Sequence, residues 1–201
     1  LIKGIEKLPD KVGLFYSIQY KCLFEILKRQ IEKQGKKVFS SKTLAYEGQI
    51  LGCNFSAALA IENKVDCFLL IGSGQWHAIS FALNTCRPIY IIVNGNIELL
   101  DRKEVDIIRK KREAAMSKFI FSDRIGIIVS TKPGQMNLSK ALDIKKEIEK
   151  KGKKAFIFIS DYINAREFEN FKIGFWINTA CAGMIFDFQN MLNISEYEQL
   201  D

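Results

Sequence analysis

The chain has 201 residues, long enough for one large domain or two of about 100 residues each. Its hydrophobic share of 48% is that of a soluble globular protein, no run approaches the ~20 apolar residues of a membrane helix, and no signal peptide is visible at its start. The net charge of +7, from 30 basic against 23 acidic side chains, suits an acidic or RNA-bearing partner, but a solvated lysine-rich surface accounts for it and is the simpler reading.

In chain order, residues 1–10 read as an entry segment ending in the turn-like Leu8-Pro9-Asp10, and the first residue, Leu1 rather than Met, suggests a fragment. Residues 11–18 are dominated by β-branched and aromatic side chains, which predicts a strand. Leu23, Phe24, Ile26, Leu27 and Ile31 among lysines and glutamates have helical spacing, so 20–34 is predicted as an amphipathic helix with Gly35 as its C-cap. A second strand is expected over 37–40.

The run Gly48-Gln49-Ile50-Leu51-Gly52-Cys53-Asn54-Phe55-Ser56 then places one thiol at a tight strand-to-helix turn. Gly48 and Gly52 free the backbone on either side, and Asn54 or Ser56 can cap a helix beginning near Ala57. Backbone N–H groups and the positive end of that helix would favour thiolate, the environment of a ligand or nucleophile. A small buried hydrophobe at a glycine-rich corner is the alternative reading of Cys53.

Residues 65–72 form a fully apolar strand of the kind buried on both faces of a parallel sheet, with Cys67 in the core. The loop Gly72-Ser73-Gly74-Gln75-Trp76-His77 leads into a short helix. His77, the single histidine, reads more readily as a helix-start residue bonded to a neighbouring loop than as a proton-transfer group. A fourth strand is expected over 88–93, then a turn at Asn94-Gly95-Asn96, then a charged helix over 103–118. With seven basic and three acidic residues over 102–118, that helix reads as a solvent-facing connector first and a polyanion contact second. Trp76 and Trp176 are expected to pack, the first at a cleft mouth, while Cys22 and Cys86 need no role beyond packing. Glu196 and Glu198 read as solvated or cleft-facing. Five cysteines with no close pair signal neither a disulfide framework nor a C-x-x-C zinc site, which points to the cytoplasm.

The second half repeats the first. Arg124-Ile125-Gly126-Ile127-Ile128-Val129-Ser130 echoes Lys11-Val12-Gly13-Leu14-Phe15-Tyr16-Ser17, and residues 148–156 mirror 31–39 through Gly152 and Gly35. Strand, helix, glycine stop, lysine pair and strand recur, so two tandem homologous α/β domains with parallel sheets are predicted: 1–102, a connector helix over 103–122, and 123–201. Ligands of such sheets bind beyond the carboxyl ends of the strands. There lie Ser130-Thr131-Lys132-Pro133-Gly134-Gln135, a polar loop whose N–H groups could hold a carboxylate or phosphate, and Asn178-Thr179-Ala180-Cys181-Ala182-Gly183, a second cysteine in a small-residue turn.

In this order and spacing, the Gly48–Asn54 run, the Gly72–His77 loop, the Ser130–Gln135 loop and the Asn178–Cys181 corner resemble the second and third domains of the archaeal 2-(3-amino-3-carboxypropyl)histidine synthase family, which makes diphthamide. The resemblance covers nearly the whole chain from Lys11 onward. It implies a pseudo-threefold, three-domain arrangement in which each domain gives one cysteine to a [4Fe-4S] cluster, with S-adenosylmethionine on the open iron. It further implies cleavage of the sulfonium bond to give a 3-amino-3-carboxypropyl radical that adds to a histidine of translation elongation factor 2. By position Cys53 and Cys181 would ligate metal, and Ser130, Thr131, Lys132, Gly134, Gln135 and His77 would hold S-adenosylmethionine. The implied partners are elongation factor 2 and a second subunit, in a homodimer or heterodimer, with neither nucleic acid nor membrane required; the fragment alone is expected to be inactive. The family corner usually continues with Pro and Arg where this chain has Ala182-Gly183, and its glycine loop usually reads Gly-Arg-Phe-His where this chain has Gly74-Gln75-Trp76-His77. A non-catalytic partner subunit, or another triplicated [4Fe-4S] enzyme such as quinolinate synthase, are the alternative readings.

Overall fold

A computed structural model describes residues 2–52, 54–72, 75–186 and 188–200. Cys53, Ser73 and Gly74, three residues of the motifs above, lie outside them. The chain divides into two compact units, Leu1–Asp106 and Ile107–Asp201. Among the described residues no helix is long and apolar enough to cross a membrane.

The first unit contains β1 (Lys11–Ser17), α1 (Lys21–Lys33), β2 (Lys37–Phe39), β3 (Gln49–Ile50), α2 (Ser56–Leu59), β4 (Cys67–Ile71), α3 (Gln75–Ala82), β5 (Ile89–Val93) and β6 (Asn96–Leu99). Its strands run in the order β2-β1-β4-β5-β6, and β3 joins the far end of β1 on the edge that β2 occupies at the near end. All pairings are parallel except β5 with β6. That antiparallel edge strand corrects the expectation that the Asn94-Gly95-Asn96 turn leads straight to a helix. Asn94 and Gly95 both take positive φ, 50° and 79°. Two such residues favour a hairpin turn, which sends the chain back along β5.

The sheet is covered on both faces because its strands alternate. Val12, Leu14, Tyr16, Cys67, Leu69 and Ile71 pack with Phe24, Leu27 and Ile31 of α1. Phe15, Phe68, Leu70, Ile89 and Ile91 pack with Ala57 and Ala58 of α2 and Ala78 and Phe81 of α3. Cys67 is fully buried, as its apolar strand predicts. Burial first, and the Asp66 charge second, push its thiol up to about 12 from an ordinary 9.0. A neutral thiol in that site stabilises the fold fully below pH 9, and this contribution is lost as pH rises toward the folded-state value, at about 1.4 kcal/mol per pH unit. Iodoacetamide at pH 8 will therefore alkylate the exposed Cys22 and Cys86 while Cys67 reacts only at the rate of unfolding, as read by peptide mass spectrometry. Equal labelling of Cys67 and Cys22 in the folded protein would refute this placement.

The division between units falls inside α4 (Arg102–Phe121). The second unit continues with β7 (Arg124–Ser130), α5 (Leu138–Lys150), β8 (Lys154–Ser160), β9 (Phe175–Asn178), β10 (Met191–Asn193) and α6 (Ile194–Tyr197). Its all-parallel sheet runs β10-β9-β7-β8. Ala115 and Phe119 of α4 pack with Ile125, Ile127 and Ile177 of the sheet and with Ala141, Ile144 and Ile148 of α5. Arg102, Lys103, Arg109, Lys110, Lys111 and Lys118 of α4 are exposed, as its charge suggests, but Arg112 is only 7% exposed and faces inward.

The repeat extends to a register. Gly13 of β1 pairs with Phe68 of β4, and Gly126 of β7 pairs with Trp176 of β9. In both places an aromatic ring lies where the glycine lacks a side chain. Gly35 and Gly152, after α1 and α5, both adopt the left-handed conformation, φ 79° and 81°, that ends a helix without a Cβ penalty. On this register β9 corresponds to β4.

Candidate functional site

In the first unit the carboxyl ends of β1, β4 and β5 frame a cavity of about 280 Å3, lined by Ser17, Ile71, Gly72, Asn94, Gln75 and His77. Helix α3 forms one wall. Its Trp76 and His77 rings lie tilted against each other, with centroids 3.7 Å apart and interplanar angle 33°. They press on Gly52, the residue before position 53. A methyl group at Gly52 would overlap the Cδ2 and Nε2 atoms of His77 and stand 2.7 Å from Cη2 of Trp76. Gly52 lacks the positive φ that Gly48 has at 72°. Its role is thus close approach, where the sequence suggested backbone freedom. Trp76, 39% exposed, and the half-buried His77 so pack against Gly52.

Cys53 itself lies outside the described residues. Around it, Asn54 accepts at Oδ1 from the backbone N–H of Ser56 at 3.0 Å and from its hydroxyl at 2.7 Å. Helix α2, which begins at Ser56, has only four residues and no side-chain cap. The expected capped helix with a positive end is therefore reduced to a single turn, whose aligned dipoles contribute little.

In the second unit the loops after β7 and β9 meet. Thr179 donates its N–H and its hydroxyl to the Ile128 carbonyl, at 3.0 and 2.7 Å, and its own carbonyl accepts from Asn137 Nδ2 at 2.7 Å. Ser130 is buried and its Oγ accepts from the Lys132 N–H at 3.2 Å. The Thr131 N–H donates to the Ser160 carbonyl and the Gln135 N–H to the Lys132 carbonyl, each at 3.0 Å. Gly134 turns the loop at φ 77°, and α5 starts only at Leu138. The N–H groups of Thr131, Lys132 and Gln135 are thus engaged within the protein, while the side chains of Thr131 and Lys132 stay exposed.

Cys181 follows β9 by three residues and is half-buried among Ala180, Ala182 and Gly183. Its turn is held by Asn178, which opens the motif, and by Asn193, to which the sequence gives no role. Asn178, 2% exposed, accepts at Oδ1 from the Ala180 N–H at 2.9 Å. Its Nδ2 donates to the Cys181 carbonyl at 2.7 Å and to Asn193 Oδ1 at 2.8 Å. Asn193 Nδ2 donates to the Ala182 carbonyl at 3.0 Å. The Asn193 N–H donates to Glu196 Oε2 at 2.8 Å, and Glu196 takes a fork of two bonds from Arg112, 2.7 Å from Nε and 2.8 Å from Nη2. The pair of Asn193 with Glu196 three residues later, at the start of α6, is the one local signal that could have revealed it. Glu196 is thus an ion-pair partner and neither solvated nor cleft-facing; Glu198 pairs with Lys140 on the surface.

The two cysteines singled out in the sequence occupy different places in the repeat. Position 53 comes soon after β3, whereas Cys181 comes after β9, the counterpart of β4. A half-buried thiol on a turn clamped by side-chain hydrogen bonds fits one ligand of a metal cluster. Among the described residues no three His, Cys, Asp or Glu side chains gather at one point, so Cys181 would act with ligands from elsewhere.

The family model for diphthamide synthesis proteins matches residues 1–198. The chain is 27% identical over 183 residues to 2-(3-amino-3-carboxypropyl)histidine synthase of Pyrococcus horikoshii, a match covering 90% of this chain and 52% of that protein. Two crystal structures of Dph2 from Pyrococcus horikoshii, one of them with a 4Fe-4S cluster, each align with TM-score 0.86 and 27% identity over 98% of this chain and 58% of theirs. The chain spans about half the length of the curated relative it matches.

Proposed function

The chain belongs to the diphthamide synthesis protein family, and from that membership we propose that it is part of an iron–sulfur enzyme. It would transfer the 3-amino-3-carboxypropyl group of S-adenosylmethionine to a histidine of translation elongation factor 2. The observation that carries the reading is the Cys181 turn, a half-buried thiol held by hydrogen bonds on the peptide groups at and beside it. Cys181, and Cys53 by its place in the resembling motif, are the ligands we assign to a [4Fe-4S] cluster. Bound there, the cluster supplies the electron that breaks the sulfonium bond.

The protein's own residues hold and orient. Because most N–H groups of the Ser130–Gln135 loop are engaged, we assign the methionine carboxylate to the exposed Lys132 ammonium, with Thr131 beside it and Gly134 giving the turn its shape. Ser130 acts there only through the Lys132 N–H it accepts, and Gln135 closes the turn. His77, in the wall of the first unit's cavity and against Gly52, is the further residue we assign to S-adenosylmethionine. A cytoplasmic enzyme working as a dimer on the elongation factor is the setting this implies.

Anaerobic reconstitution of the full-length protein tests the reading. The wild type should turn brown, with iron and charge-transfer absorbance that fall by at least about half in Cys181→Ala and Cys53→Ala and not in Cys22→Ala, which removes an exposed thiol of α1. Full iron content in both ligand variants would overturn the assignment. Elongation-factor binding without S-adenosylmethionine cleavage by the loaded wild type would favour the partner-subunit role instead.

A further inference from the structure

The polar chain behind Cys181 ends on the cysteine's own main chain. Asn178 fixes the N–H of residue 180 and the carbonyl of residue 181, and Asn193 fixes the carbonyl of residue 182. The peptide groups joining residues 179–180, 181–182 and 182–183 are thus each held by one of two side chains, which also bond to each other. Behind them stands Glu196, oriented by Arg112, whose Nη2 also donates to the Met191 carbonyl at 2.5 Å. Arg112 reaches the site from α4, 84 residues from Glu196 in sequence. Apolar residues can replace a buried ion pair without loss of stability, so its presence needs another reason than cohesion. A fully satisfied buried network fixes one geometry, and geometry is what a thiolate ligand requires.

We propose that Asn178, Asn193, Glu196 and Arg112 are positioning residues for the Cys181 sulfur, governing how tightly, and at what potential, that turn holds iron. The proposal rests on the reading of Cys181 as a cluster ligand. In the iron-loaded full-length protein, Asn178→Asp turns the Nδ2 donor into an acceptor facing the Cys181 carbonyl and Asn193 Oδ1. Glu196→Gln keeps the shape and a carbonyl for the Asn193 N–H but removes the charge that holds Arg112. Ile144→Val, in the apolar core of the same unit, serves as a destabilised control.

Iron release to a chelator, well below each variant's melting temperature, should be roughly 10- to 100-fold faster in Asn178→Asp and several-fold faster in Glu196→Gln. The cluster's midpoint potential should shift in both. Ile144→Val should lower the melting temperature while leaving release rate and potential at wild-type values. Wild-type release and potential in the two network variants, or equal acceleration in Ile144→Val, would overturn the proposal. If Asn178→Asp does not fold, Glu196→Gln decides alone. Should Cys181→Ala keep its full iron, the ligand reading falls and this proposal with it. If Cys181→Ala loses iron and the network variants behave as wild type, the positioning role alone is refuted.

Discussion

Arg112→Met will destabilise the second unit by about 3–5 kcal/mol, the cost of leaving a buried carboxylate without its partner. The two side chains are 9% and 15% exposed, so water does little to screen the loss. Methionine fills the volume of the arginine stem, which confines the effect to the guanidinium and its three bonds, two to Glu196 and one to the Met191 carbonyl. Adding Glu196→Gln should recover part of the stability, since a neutral amide still accepts from the Asn193 N–H and no longer needs a cation. Recovery stops short of wild type because the Met191 carbonyl loses its donor. The chain has two tryptophans, Trp76 in the first unit and Trp176 in the second. Urea unfolding followed by fluorescence in a Trp76→Phe background therefore reports the second unit by itself. A cost below about 1 kcal/mol for Arg112→Met would mean that the pair is solvated and that the network does not exist as described.

This ion pair also shows where sequence reading stops. Residues 102–118 carry seven basic side chains, and nothing in their spacing marks Arg112 as the one turned inward. Its partner is 84 residues away. The same limit hid the Asn178–Asn193 bond and strand β10, whose three residues are too few for a periodic signal. By contrast, β1, α1, β4, β7 and α5 were legible because each carries its own pattern, continuous apolar runs for strands and a 3.6-residue stripe for helices. The hairpin to β6 was legible in principle. Asn94-Gly95 is a turn dipeptide, and the alternation of Asn96, Ile97, Glu98 and Leu99 leaves Ile97 alone buried. A turn at 94–96 followed by a helix from 103 leaves 97–102 without an element, and four residues are too short a run to outweigh the charged helix beyond them. At the site, glycine identity was readable and glycine purpose was not: Gly52 makes room for rings that reach it from α3.

Gly126→Ala will cost the second unit about 3 kcal/mol, at the upper end of what overpacking a core does. A Cβ built there would overlap the Cε3 and Cζ3 atoms of Trp176 and lie 3.0 Å from Cδ2. The indole cannot withdraw. Phe168 stacks on it at 4.3 Å and 22°, and Phe158 meets it edge-on at 4.9 Å. Backbone movement is blocked as well, since Gly126 lies in the middle of β7, paired on one side with Trp176 of β9 and on the other with Phe156 of β8. The corresponding Gly13→Ala in the first unit meets Phe68 Cδ1 at 2.5 Å, and Phe68 is held against Phe81 at 4.8 Å and Phe15 at 6.0 Å. A similar cost is expected there, because the repeat duplicates the packing along with the residue. Coupling identifies the cause: in a Trp176→Leu background, Gly126→Ala should cost under about 1 kcal/mol, as the interaction energy of residues in contact requires. Circular dichroism can follow that pair, since its fluorophore is gone. Equal cost with and without the indole would place the strain in the strand backbone and remove the ring over the glycine as the feature the two halves share.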